Sequence, residues 1–249
     1  MRRYPSPSTS SFSLGPGPIS TALKAIIAVN VVMFLATTLI RSIDLNAILG
    51  LVPVLVLHRL WIWQPVTYMF LHAGLFHILF NMLALWMFGT ELERIWGTRY
   101  FLKFYLATGI GAGLLTILVS LLGFGFTNVI YVVPTIGASG AIYGVLLAYA
   151  LYFPDRPIYM YFLFPVPAKI FVLIMGAIAF YASLAETGGV ANATHLGGLV
   201  VGYAMLKGAR VHPMAELKYR YLKWRINRVR KKFDVYSGGR ADDWDRRVH

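Results

Sequence analysis

The sequence predicts an all-α membrane protein, a bundle of six transmembrane helices with an interfacial loop between the first and the second. Three observations carry that reading. Of 249 residues, 58% are hydrophobic and only 13% charged, and the mean hydropathy of +0.64 lies well above that of a water-soluble domain. The apolar residues fall into separate runs, and a chain of this length holds about six spans of roughly 20 residues each. Finally, 13 of the 23 Lys and Arg residues lie from Lys207 onward, so the formal charge of +13 is a local excess that speaks of topology and lipid before nucleic acid.

Residues 1–19 are rich in Ser, Pro and Gly and read as a disordered cytoplasmic leader. A secretory signal fits less well, because the first apolar run leads to no small-residue cleavage site and is long enough to span. The runs are Ser20 to Ile40, Phe76 to Gly89 (extendable to Trp96), Phe101 to Phe126, Ile136 to Phe153, Ala168 to Leu184 and Ala193 to Leu206. The fourth and sixth are short for a hydrocarbon core of about 30 Å, which suits helices buried in a bundle or a locally thinned bilayer. Between the first two runs lies Arg41 to Leu75, whose apolar stretch Leu49 to Leu57 is interrupted by Pro53 and followed by Trp61 and Trp63. Too short and broken to span, it is expected in the membrane interface. Residues 20–208 thus form one helical domain, and 209–249 a basic cytoplasmic tail.

Arg94, Arg99 and Lys103 lie between the second and third runs, Arg156 and Lys169 between the fourth and fifth, whereas Gly123 to Thr135 and Ala185 to Asn192 hold no Lys or Arg. Both termini are therefore expected in the cytoplasm, with runs two, four and six passing from outside to inside. That direction brings His72, His77, Asn81, Ser139 and His195 to the outer third of the bilayer, where polar side chains face the bundle or a watery cavity. His77 and Asn81, four residues apart, share one helix face. By themselves they fit an interhelical hydrogen bond better than a catalytic role. Ser139, in Gly137-Ala138-Ser139-Gly140-Ala141, can by itself be a helix cap. The G-x-S-x-G elbow of soluble hydrolases does not fit, because Ala141 takes its last position and no strand precedes it.

Gly140 and Gly144 make one G-x-x-x-G pair, and Gly198 and Gly202 another. Small residues at this spacing let two helix backbones approach closely. Ser139 stands one residue before its pair and His195 three before its own, so packing of the two helices would bring hydroxyl and imidazole into hydrogen-bond reach.

These pieces together resemble a rhomboid intramembrane protease: His72-x4-His77-x3-Asn81, Gly89-x-Glu91-x-Glu93 with Trp96-Gly97, Gly137-x-Ser139-Gly140-x3-Gly144, and His195-x-Gly197-Gly198-x3-Gly202, in family order from about Trp61 to Gly208. The resemblance implies Ser139 as nucleophile and His195 as general base. It implies an oxyanion hole of His77, Asn81 and the Ser139 N–H, a Tyr143 ring stacked on His195, a more structural His72, and Glu93 in a network at the inner end of the second helix. One departure is visible, since the family's Trp-Arg loop pair reads Trp63-Gln64 here.

The chemistry stands beside the resemblance. Glu91, Glu93, Asp155 and the tail acids lie on the cytoplasmic side, and only Asp44 and Glu186, both in loops, are placed outside. A Ser–His dyad is therefore expected rather than a triad, with the imidazole oriented by packing. The chain has no cysteine, and no His pair has metalloprotease spacing, so neither metal nor cofactor is expected. A catalytically inactive rhomboid-like binding or chaperone module is the alternative, and a transporter is disfavoured by the lack of intramembrane acids. The expected partners are transmembrane protein substrates and the lipid bilayer, with anionic lipid for the tail, where basic residues alternate with Tyr219, Trp224 and Phe233. No motif supports nucleic-acid binding. The expected location is the prokaryotic plasma membrane.

Overall fold

The computed structural model describes residues 17–40, 42–123, 125–160, 163–183 and 189–210. Met1–Leu206 form one compact unit; the second, Lys207–His249, is described only to residue 210. The leader before residue 17, Glu186 and the tail from 211 lie outside the described residues.

The helices are α1 (Thr21–Leu39), α2 (Leu45–Leu49), α3 (Pro53–Arg59), α4 (Gln64–Thr67), α5 (Leu75–Trp96), α6 (Thr98–Ser120), α7 (Gly125–Val132), α8 (Ser139–Tyr152), α9 (Ala168–Ser183) and α10 (Gly189–Arg210). Among the described residues, α1, α5 and α6 are long and apolar enough to cross a membrane, and α8 and α9 are shorter apolar helices. The chain is thus a mostly helical membrane protein.

Sequence and structure differ at four places. The third run breaks after Ser120, and its end belongs to α7. The sixth run is shorter than its helix, because Gly189 to Asn192 at one end and Lys207 to Arg210 at the other extend α10 to 22 residues. Pro53 opens α3 rather than interrupting it, since a first-turn N–H needs no helical partner. The connection between α8 and α9, where the sequence marked only Arg156 and Lys169, holds an antiparallel hairpin, β1 (Pro157–Met160) paired with β2 (Phe164–Pro167).

The most enclosed of the described helices is α8, ten of whose 14 residues are buried, and α6 packs one face against it. Phe101, Phe104, Tyr105, Thr108, Ala112, Thr116, Ile117 and Ser120 recur at three- and four-residue steps and are all buried. By contrast α1 buries only Leu23 and Asn30. Its Val29, Val32, Leu35 and Leu39 face outward, as lipid-facing residues do when no water has to be excluded. At 14 residues, α8 is about 21 Å long. A helix that reaches one face of a hydrocarbon layer about 30 Å thick over that length begins inside it.

The segment between α1 and α5 is ordered by its own polar groups. The last carbonyls of α2 have no helical partners. Gln64 Nε2 donates to the Ala47 and Ile48 carbonyls at 3.3 and 3.2 Å, Trp63 Nε1 to Ile48 at 3.0 Å, and Thr67 Oγ1 to Leu49 at 2.6 Å. Gln64 Oε1 in turn accepts from the Val52 N–H at 3.0 Å, and the residue is fully buried. An arginine has no acceptor and could not replace that last bond. The departure from Trp-Arg is therefore a neutral clasp. Replacing Gln64 with Leu is expected to cost about 1–3 kcal/mol by stranding these buried groups, and Gln64→Arg should also destabilise. Thermal unfolding of the detergent-purified protein checks this, and unchanged midpoints for both variants would refute it.

Candidate active site

The strand-like approach to Ser139 is pinned at both ends. Leu51 and Thr135 exchange two backbone hydrogen bonds of 2.9 Å in an isolated antiparallel bridge. Two residues on, the Gly137 N–H donates to the Tyr68 carbonyl at 2.9 Å, while the Tyr68 hydroxyl donates to the Gly109 carbonyl at 2.7 Å. Gly137 has a φ of 129°, a conformation that side chains rarely adopt. A Cβ there would stand 3.0 Å from Cε1 and Nε2 of His77 and 3.4 Å from Ser139 Oγ. Glycine thus keeps a gap open between an imidazole and a hydroxyl.

Ser139 is the first residue of α8, and no side chain caps that helix. Its Oγ lies 2.8 Å from Nε2 of His195 on α10. The contact follows from the way the two helices meet. A Cβ on Gly198 would overlap the Gly140 carbonyl, and one on Gly202 would come within 2.9 Å of the Gly144 Cα. The two backbones therefore touch. The His195 ring lies flat on Tyr143, centroids 4.3 Å apart and planes 5° apart.

His77 sits edge-on to the buried His72, with ring centroids 5.0 Å apart. The Ala73 N–H donates to His77 Nδ1 at 3.3 Å. In the neutral ring that acceptor leaves the proton on Nε2, the nitrogen beside the gap at Gly137. Asn81 is buried, and its amide donates to the His77 carbonyl at 2.8 Å rather than to another helix. One of its N–H bonds is thereby used within α5.

The described acids are all engaged elsewhere. Asp44 caps α2 through the Ala47 N–H at 3.0 Å. Past the far end of α8 from Ser139, Glu91 meets Arg156 at 3.2 Å and Arg94 at 3.5 Å, and Asp155 meets Lys169 at 2.7 Å. Arg156 is held above its ordinary pKa, first by its bond to the Tyr149 hydroxyl, and its guanidinium lies 4.1 Å over the Phe153 ring. Glu93 accepts from Ser20 and Thr98, each at 2.6 Å, tying α1, α5 and α6 together. Among the described residues no group of three or more metal-ligating side chains occurs.

Two participants escape the sequence reading. Gly137 stands in the quoted motif, but only its positive φ and its neighbours show what the missing side chain does. Tyr68 carries no periodic signal, being one aromatic in a short connection.

A helical membrane fold with a hydroxyl and an imidazole in contact where two helices meet defines a class, the polytopic membrane proteins with an internal polar site. The rhomboid domain family matches residues 59–210, and the chain belongs to that family. It is 35% identical over 135 residues to Rhomboid protein 1, mitochondrial, of Saccharomyces cerevisiae, covering 53% of this chain and 38% of that protein. It is 36% identical over 141 residues to Rhomboid protease GluP of Bacillus subtilis, covering 57% and 25%. It is 29% identical over 153 residues to Rhomboid protease GlpG of Yersinia pestis, covering 59% and 48%. The chain therefore spans between a quarter and about half of the length of these relatives.

Gly137→Ala tests the gap. The methyl would strain the turn and fill the space between His77 and Ser139, so labelling of Ser139 by a serine-directed fluorophosphonate is expected to slow by roughly one to three orders of magnitude, the scale of one lost oxyanion donor. Labelling at the wild-type rate would show that the gap plays no part.

Proposed function

We propose that this chain is an intramembrane serine endopeptidase that hydrolyses peptide bonds of single-span membrane proteins near the outer face of the bilayer, through a dyad of Ser139 and His195. The observation that carries the reading is the 2.8 Å contact between Ser139 Oγ and His195 Nε2, made by a ring that Tyr143 holds in plane. Membership of a family whose relatives include named proteases supports it.

Ser139 Oγ attacks the scissile carbonyl as His195 Nε2 takes its proton. The oxyanion forms beside Gly137, where the His77 Nε2–H and the Ser139 backbone N–H reach it, with Asn81 lending its remaining N–H. Ser139 opens α8, so the positive end of that helix also favours the developing charge. Collapse breaks the C–N bond, and His195 returns the proton to the leaving amine. Water, deprotonated by the same imidazole, then cleaves the ester. No carboxylate is needed, because stacking does what an acid does in a triad: it fixes the plane of the imidazole.

The distribution of Lys and Arg supports cytoplasmic termini, with the segment from α2 to α4 in the outer interface; on this reading six spans cross a prokaryotic plasma membrane. Ser139→Ala is expected to abolish cleavage and fluorophosphonate labelling without loss of fold, as is His195→Ala, whereas Asn81→Ala should lower turnover by roughly one to three orders of magnitude and retain slow labelling. Substantial turnover in Ser139→Ala would end the dyad reading, and a wild type that binds membrane proteins without labelling would favour the inactive module.

The substrate follows from the solvent. A span in lipid keeps its carbonyls in its own helical hydrogen bonds, since each unsatisfied group costs several kcal/mol. Attack by Ser139 requires local unwinding, so substrates should carry Gly, Ala, Ser or Pro in their outer turns. Gly and Pro weaken a helix by about 1 and 3 kcal/mol relative to Ala. Replacing these residues with Leu away from the cut, in one model span in proteoliposomes, is expected to slow cleavage by roughly 5-fold or more. Equal rates throughout would exclude unwinding as the limiting step.

A further inference from the structure

His195 stacks on Tyr143, and its Nδ1 has no hydrogen-bond partner among the described residues. The position of its imidazole over Ser139 therefore depends on how α10 is turned about its own axis. A ring on a helix surface moves with that rotation, because each residue advances the azimuth by one part in 3.6 of a turn.

The residue just before it carries a contact that sets this angle. Thr194 is 1% exposed and Thr116 of α6 fully buried. Their hydroxyls are 2.7 Å apart, and the Thr116 hydroxyl also lies 2.9 Å from the Ala112 carbonyl. The methyl of Thr194 meets the other neighbour: a Cβ on Gly140, the residue after Ser139, would come within 3.0 Å of Thr194 Cγ2. One side chain thus touches α6 through oxygen and α8 through carbon. On the same face Gly197 backs onto Ala112, where a Cβ would stand 3.1 Å from its Cα and carbonyl oxygen.

We infer that the Thr116–Thr194 hydroxyl pair is a positioning device for His195, fixing the rotation of α10 so that Nε2 stays on Ser139 Oγ. The glycine contacts set how close α8 and α10 come, but small residues are smooth and resist rotation weakly. A hydroxyl pair is directional, with a distance and an angle to satisfy, and in a lipid-surrounded core neither oxygen finds a better partner in water. Thr116 and Thr194 are positioning residues, since neither touches Ser139 Oγ or the His195 ring.

This inference rests on the dyad reading, and the experiment separates the two. Wild type, Ser139→Ala, Thr116→Ser, Thr194→Ser, Thr116→Val, Thr194→Val and the double variant Thr116→Val/Thr194→Val are compared in detergent for kcat, KM, fluorophosphonate labelling rate and Tm, well below the lowest Tm. The double variant removes both hydroxyls, strands neither, and so is the one least prone to misfold. The expected result is a 5- to 50-fold fall in kcat and labelling rate in the double variant with KM within 2-fold of wild type. Each single Val change should give most of that fall, and each Ser variant should stay within 3-fold of wild type. A folded double variant with kcat and labelling within 2-fold of wild type would overturn the inference. So would a double variant that cannot be recovered folded, which assigns the pair to stability, or a rise in KM alone, which assigns it to substrate binding. Failure of wild type itself to label, or labelling that survives Ser139→Ala, strikes at the dyad instead.

Discussion

The molecule turns on the place where α8 and α10 touch backbone to backbone. Gly140 and Gly144 meet Gly198 and Gly202 so closely that a single methyl on Gly198 would run into a carbonyl. In lipid there is no water to drive helices together, and such contacts hold by packing and by hydrogen bonds across the interface. Because Ser139 and His195 stand just beyond these glycines, the approach of two backbones becomes the approach of two functional groups, 2.8 Å apart. Bulk at Gly198 or Gly202 would separate a hydroxyl from its base before it touched either.

Many of the polar groups around that contact follow a second rule, that hydrogen bonds away from water are made locally. Asn30 donates to the Ile26 carbonyl and Ser120 to Ile117, inside their own helices. Gln64, Trp63 and Thr67 gather the free carbonyls of α2. The ordered segment so made is a support for the site, because its Leu51 pairs with Thr135 and Tyr68 holds Gly137. What remains at the centre is a small set of groups aimed at one gap: the Ser139 hydroxyl and the rings of His77 and His195.

Charge is kept apart from this set. The described acids lie in a helix cap, in ion pairs past the end of α8 remote from Ser139, or in the Glu93 network. A carboxylate near His195 would stabilise its charged form and hold the ring. Among the described residues packing against Tyr143 takes the second task.

The class of fold, the order of the helices and the five polar residues were legible from composition and spacing, because transmembrane runs, G-x-x-x-G pairs and residues four apart are local patterns that one dimension records. So was the shortness of the fourth run, whose helix begins at Ser139. The hairpin between α8 and α9, the break after Ser120 and the start of α3 at Pro53 were not, since short strands and turns depend on partners distant in the chain. The open gap at Gly137 needs a dihedral angle and a neighbour from α5, and the Thr116–Thr194 pair joins residues 78 apart in sequence. The sequence by itself determined which groups are available and at what height along each helix. Only the tertiary structure decided how each helix is turned and which polar atoms are already spent on one another, because rotation and partnership are relations between helices that no periodicity within one helix encodes.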